Sequence, residues 1–210
     1  MGYTHYWKFN SDYEINSEKW KEIINDFNKI LDVETNIPEN DKYDGTDGMT
    51  RLRNILEQDS DQRLEITDKE IRFNGREEND RGHETISLQR KSDKSLQDPT
   101  DKKYIFDFCK TARKPYDIVV CCLLIILKHR LGNMIEIGSD GKDGTDTGGE
   151  YHEVDGSWSN AIKLCAENLS YDDILEHLFD EFLMANYRLA VNDKKSIDFV
   201  DQLQQFGVGS

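Results

Sequence analysis

YIFDFCKTARKPYDIVVCCLLIIL, residues 104–127, joins an alternating segment to a uniformly apolar one. At its start, Tyr104, Phe106 and Phe108 alternate with other residues, which is typical of a β-strand. Residues 118–127 then form an unbroken apolar run, too long and too uniform for a surface helix. The run is about half of the roughly 20 residues needed to cross a bilayer. We therefore expect a strand followed by a buried helix, and we expect Pro115 to be the first residue of that helix.

The segments around this stretch show strand and helix patterns of their own. Aromatic residues and a histidine occupy the odd positions from Tyr3 to Phe9, which predicts a strand with one aromatic face. Apolar residues recur at helical spacing between Trp20 and Leu31, and Ser17 is the candidate N-cap of that helix. Further strands are expected at residues 64–66, 71–73, 86–88 and 134–137, and a helix is expected at 157–165.

Strands that follow one another without intervening helices favour an α+β fold. We expect a mainly antiparallel sheet of about five or six strands, with one buried central helix and additional helices packed on it. Residues 1–169 are predicted to form a single domain with a polar excursion at 34–62, where 49–56 is a candidate short helix. Residues 170–206 are expected to form a C-terminal helical extension packed on that domain, and 207–210 a frayed tail.

The charge balance restricts the classes of partner. The chain has 27 basic and 42 acidic residues, which gives a net charge of −15. Such a surface repels phosphate backbones and anionic lipid, and it attracts basic proteins. We therefore expect no direct nucleic-acid binding and no membrane binding, and a basic protein is a candidate partner.

The cysteines favour a reducing compartment. None of Cys109, Cys121, Cys122 and Cys165 shows the spacing of a zinc site or a disulfide framework. Cys121 and Cys122 lie inside the apolar run, where a thiol behaves as a small hydrophobic group. No signal peptide and no cofactor motif is recognised, so a cytoplasmic protein without metal or cofactor is expected.

The connection between the strand and the buried helix concentrates basic residues. The amino end of a helix favours anions, so these side chains predict a binding site for a small anionic ligand. The alternative is that the cations pair with Asp107 and Asp117. The predicted anion-binding residues are Lys110, Thr111, Arg113, Lys114 and Tyr116.

A pocket beside this corner is a second expectation. Its candidate residues are His5, Trp7, Asn74, Cys109, Asp117 and Asp140. A hydrolase or transferase that uses His5, Cys109 and Asp117 is one alternative, because neighbouring cations lower the pKa of a thiol. The other alternative is structural, with His5 and Cys109 packed in the core and Asn74-Gly75 forming a turn. The repeated Asp-Gly-Thr-Asp at 44–47 and 143–146 lacks calcium-loop spacing and predicts solvated turns.

Several segments resemble an uncharacterised family of bacterial, phage and environmental proteins. They are GYTHYW at 2–7, IRFNG at 71–75, FDFCKTARKPYD at 106–117 and IEIGSDG at 135–141. The resemblance covers roughly residues 2–165 and implies no particular activity. It implies a phage-associated setting, in which an acidic protein would engage a basic host protein through its acidic loops and terminal helices.

Overall fold

The computed structural model describes residues 3–36, 49–93, 102–140 and 156–171. These residues form a mixed α and β structure with three α-helices and three small antiparallel sheets. None of the described helices combines the length and the apolar composition that crossing a bilayer requires.

The sheet that carries the site has three strands. The middle strand is β1 (Thr4–Asn10). The odd residues of β1 are buried, as the alternation predicts, because successive side chains of a strand point to opposite faces of the sheet. Its antiparallel neighbours are Tyr104–Lys110 on one side and Ile135–Ser139 on the other.

The first helix, α1, spans Ser17–Leu31 and buries the apolar stripe that the sequence predicts. Its N-cap is Asn16 rather than Ser17, since the Asn16 side chain accepts a hydrogen bond from the Lys19 backbone N–H. Ser17 is instead the first helical residue.

Two short strands follow α1, namely β2 (Glu34–Asn36) and β3 (Met49–Arg51), which pair with each other. The short helix expected at 49–56 is wrong in its first part, because Met49–Arg51 is a strand and only Leu52–Ile55 forms a 3₁₀ turn. Leu52, Ile55 and Leu56 are buried. This part of the chain therefore belongs to the core and not to a polar excursion.

The strands expected between residues 64 and 88 form a second three-stranded sheet. They are β4 (Glu65–Ile66), β5 (Glu70–Phe73) and β6 (Ile86–Gln89), with β5 in the middle. The expectation of one sheet with five or six strands is not confirmed, because the described strands divide into separate sheets of three, two and three. Alternation shows that a segment is a strand, but it does not show which strands pair.

The remaining elements are β7 (Tyr104–Lys110), α2 (Asp117–Leu131), β8 (Ile135–Ser139) and α3 (Gly156–Leu169). The prediction that α2 begins at Pro115 is wrong by two residues, since Lys114 to Tyr116 form a turn closed by a bond from the Asp117 N–H to the Lys114 carbonyl. Gly132 ends the helix with φ of 55°.

Helix α2 is buried along almost its whole length, as its uniform apolar sequence predicts. It contacts α1, α3 and β8. The more specific expectation, that it is the central helix of one large sheet, is not confirmed because that sheet is absent from the described residues.

Several expectations lie outside the described residues. They are the two Asp-Gly-Thr-Asp repeats, the C-terminal extension from residue 172 to 206 and the tail at 207–210.

Candidate functional site

A buried polar cluster lies where β1 meets the start of α2. The His5 Nε2 donates to the Asp117 Oδ1 at 2.7 Å, and the Thr111 hydroxyl donates to the same oxygen. All three side chains are excluded from solvent. Because Asp117 lies in the first turn of α2, the positive end of the helix dipole also stabilises its carboxylate.

Cys121 completes this cluster. Its Sγ lies 3.8 Å from the His5 Nε2, and the thiol is fully buried. Asp117 and Cys121 are four residues apart on α2, a spacing that places both side chains on one face of a helix. The sequence analysis missed Cys121 because it treated the residue as a small hydrophobic group. The four-residue spacing from Asp117 was the signal that could have identified it.

Aromatic rings surround the imidazole of His5. Tyr3 and Trp158 both meet it edge to face, with ring centroids 5.1 Å and 5.4 Å away. Two polar atoms within this enclosure, the His5 Nδ1 and the Asp117 Oδ2, have no hydrogen-bond partner among the described residues. A buried acceptor without a hydrogen-bond donor is costly, so a donor or a cation beside these atoms would stabilise this part of the core.

Cys109 belongs to different surroundings, although it pairs with His5 in the β1–β7 register. Its thiol donates to the Glu84 carbonyl at 3.4 Å and lies 4.0 Å from the Tyr116 hydroxyl. Burial raises the pKa of the Cys109 thiol to about 12, although the contact with Tyr116 opposes the shift. A protonated, buried thiol is a poor nucleophile. The geometry therefore disfavours a reaction that uses His5, Cys109 and Asp117, and this alternative stays a prediction.

Most of the predicted anion-binding residues already have internal contacts. Thr111 and Tyr116 are buried, and the Tyr116 hydroxyl donates to the Glu84 carbonyl at 2.7 Å. Lys114 forms an ion pair with Asp80.

The other two members of the corner are more accessible. Arg113 is exposed, and its guanidinium lies over the Tyr3 ring. Lys110 is half-buried, and its backbone N–H donates to the Glu84 carboxylate at 2.7 Å. The anion site stays a prediction, for which the geometry leaves Lys110 and Arg113 as the accessible cations.

The remaining pocket candidates are dispersed. Trp7 is buried on the same face of β1 as His5. The Asn74 side chain is bonded within its own turn, where its Oδ1 accepts from the Gly75 and His83 N–H groups. Asp140 is exposed and accepts a 2.9 Å hydrogen bond from the Tyr6 hydroxyl. Among the candidates, the structure thus brings together His5, Asp117 and Thr111.

The opposite face of the same sheet carries a row of aromatic side chains. Phe106 and Phe108 are 37% and 50% exposed, and both point away from the buried Cys109 side of β7. Tyr6 of β1 stacks on Phe106 with ring centroids 6.0 Å apart. We call Tyr6, Tyr104, Phe106 and Phe108 the outer aromatic face.

Comparisons with known proteins leave the chain without an assigned relative. No protein-family model, curated protein or solved structure matches it.

Proposed function

We propose that this protein is an interaction module that binds a basic segment of another protein on its outer aromatic face. The observation that carries the proposal is the exposure of Phe106 and Phe108 beside one another, with ring centroids 6.4 Å apart. Contiguous exposed aromatic groups with polar neighbours mark interaction sites more often than isolated exposed apolar residues do.

The chemistry next to these rings favours a cationic ligand. Two exposed carboxylates lie beside the face, since Glu136 of β8 is opposite Lys8 and Asp140, which follows β8, accepts a hydrogen bond from Tyr6. The face already holds one cation, since the Lys8 ammonium lies 3.6 Å from the centroid of the Tyr104 ring. Arginine and lysine side chains bind aromatic rings in this way, and nearby carboxylates strengthen the attraction. A segment rich in arginine or lysine therefore suits this surface.

The charge of the whole chain supports the same partner. A net charge of −15 attracts basic proteins over distances longer than direct contact and accelerates their encounter. Salt screens such attraction within about 10 Å at 0.1 M ionic strength, so binding should weaken as salt rises.

A photo-crosslinking experiment tests the location of the contact. The photoreactive amino acid p-benzoylphenylalanine is placed at position 108 of the full chain, and at position 49 as the control. Met49 is 66% exposed but lies in a different sheet. We expect salt-sensitive adducts at position 108 only, with the crosslinked peptide of the partner rich in lysine and arginine.

Each other result of that experiment contradicts the proposal. Equal adducts at both positions would indicate non-specific contact. A crosslink to residues 172–206 of the same chain would mean that the chain covers its own face. A crosslinked partner peptide that is acidic or neutral would exclude the proposed cation recognition.

A substitution series then measures the contribution of the rings. Once a partner is identified, Phe108→Ala should weaken its binding at least about tenfold, because exposed aromatic anchors dominate such contacts. The fold should be retained, since half of the Phe108 side chain is already in solvent. Met49→Ala is the matched control and should leave affinity unchanged.

A small anion bound by Lys110 and Arg113 is a second proposal, favoured by two accessible cations on the connection from the end of β7 to the start of α2. Inorganic phosphate should raise the melting temperature of the wild-type chain but not that of Lys110→Gln. Lys163→Gln, which changes an exposed lysine on α3, is the control. No phosphate response in the wild-type chain would end this second proposal.

A further inference from the structure

The buried cluster of His5, Asp117 and Cys121 combines three kinds of metal ligand. One ligand atom from each residue lies within 4.8 Å of the other two. An imidazole, a carboxylate and a thiol are the groups that bind zinc in proteins, and a tetrahedral zinc ion accepts all three. We infer that this cluster is a site for a single divalent ion of the zinc class.

The distances between the ligand atoms support this geometry. Ligands bonded to zinc at about 2.0–2.3 Å lie about 3–4 Å from each other. The 3.8 Å between the Cys121 Sγ and the His5 Nε2 already falls in that range. The 2.7 Å between the His5 Nε2 and the Asp117 Oδ1 is a hydrogen-bond distance. The ion replaces the proton of this bond, so these two atoms separate by a few tenths of an ångström.

The carboxylate of Asp117 has an oxygen atom that a cation could bind. The Asp117 Oδ2 is buried and accepts no hydrogen bond from the described residues. The Asp117 carboxylate is buried and has lost most of its hydration, and an ion bound to it would restore charge balance. Three residues leave the fourth tetrahedral position to the second oxygen of Asp117 or to a water molecule.

Binding of the ion displaces protons from the Nε2 of His5 and the Sγ of Cys121. The ion takes the place of the proton on the His5 Nε2, and in the neutral imidazole that proton moves to Nδ1, which leaves the Nε2 lone pair for the ion. The Cys121 thiol releases its proton and binds as thiolate. Neither step needs an oxidant or a reductant. The bound ion would fix β1 to α2, the same junction that the hydrogen bond holds.

Cobalt(II) is the probe for this site, because a thiolate bonded to cobalt gives a ligand-to-metal charge-transfer absorption band. The full chain is freed of metal with a chelator and titrated with cobalt under reducing conditions. We expect the band to saturate at one ion per chain and to disappear when zinc is added. No band in the wild-type chain would overturn the inference.

The adjacent cysteine provides a matched control. Cys121→Ser should abolish the band, and Cys122→Ser should keep it. Cys122 is equally buried, but its thiol contacts the Ala161 carbonyl instead of His5. A band that survives in Cys121→Ser, or that is lost only in Cys122→Ser, would assign the metal to another thiol and refute the site.

A second measurement needs no substitution, so a variant that fails to fold does not decide the outcome. X-ray absorption of the zinc-loaded wild-type chain should show one sulfur at about 2.3 Å, with nitrogen and oxygen completing the shell. A shell without sulfur, or with two or more sulfur atoms, contradicts the assignment of His5, Asp117 and Cys121.

Discussion

The Asp117 carboxylate on α2 accepts a 2.7 Å hydrogen bond from His5 on β1, across a separation of 112 residues. This bond, together with that from Thr111, fixes the first strand of the chain to its most buried helix. The pair lies out of solvent, where a polar group that loses its partner cannot be rescued by water. The junction should therefore be important for stability as well as for the proposed site.

Replacing Asp117 with alanine should destabilise the fold. The substitution leaves the His5 N–H and the Thr111 hydroxyl buried without their acceptor. Breaking a buried pair in this way costs about 3–5 kcal/mol. Denaturant unfolding measures the change, and Asp140→Ala, at an exposed position, is the control. A loss no larger than that of the control would show that the junction contributes little.

Asp26 should make stability depend on pH. Burial favours its neutral form, but hydrogen bonds from Tyr171 and Arg130 outweigh burial and lower its pKa. A carboxyl with a lowered pKa in the folded state adds stability above its unfolded pKa, about 4, and that stability is lost as pH falls through the folded pKa.

The comparison of the wild-type chain with Asp26→Asn measures this effect. The difference between their free energies of unfolding should be largest at neutral pH and should shrink as the solution becomes acidic. Asp12→Asn, at an exposed position, is the reference substitution. A difference for Asp26→Asn that stays constant down to pH 2 would contradict the assigned hydrogen bonds.

The thiols should be unreactive in the folded protein. All four cysteines are buried and none forms a disulfide, and burial holds the pKa of Cys109 at about 12, so little Cys109 thiolate forms at neutral pH. A disulfide reagent should label none of them within minutes at pH 7.5, and all four after denaturation. Rapid labelling of Cys109 in the folded chain would instead support the alternative in which Cys109 is a nucleophile.

A side chain at Gly75 should destabilise the fold. A methyl group there would lie 2.3 Å from the Arg81 carbonyl oxygen and 2.7 Å from the Tyr116 ring. Overpacking of this kind costs about 1–3 kcal/mol, so Gly75→Ala should lower the melting temperature by several degrees. Gly138→Ala is the matched control, because its new methyl group meets Tyr6 at an ordinary 3.7 Å. Equal effects of the two substitutions would contradict the close approach of Tyr116.

Side-chain periodicity allowed the main elements to be predicted, because each pattern repeats within a short segment. It located β1, helix α1 and the buried α2 to within a few residues. Asp117 and Cys121 are four residues apart in the sequence, but the helix face that they share was not predicted. Contacts made by a cap or a turn shifted the ends of helices, as Asn16 and Pro115 illustrate.

Pairing between distant segments was not encoded in those patterns. Alternation in β7 leaves two faces, and only packing against the rest of the chain put Cys109 inside and Phe106 and Phe108 outside. In the same way, the approach of β1 to α2 turned a strand histidine and a helix cysteine into neighbours. The sequence by itself determined most of the strands and helices, since these depend on local periodicity, although Met49–Arg51 is a strand where a helix was expected. The tertiary structure alone decided which residues share a site, because contacts between distant segments form only when the whole core packs.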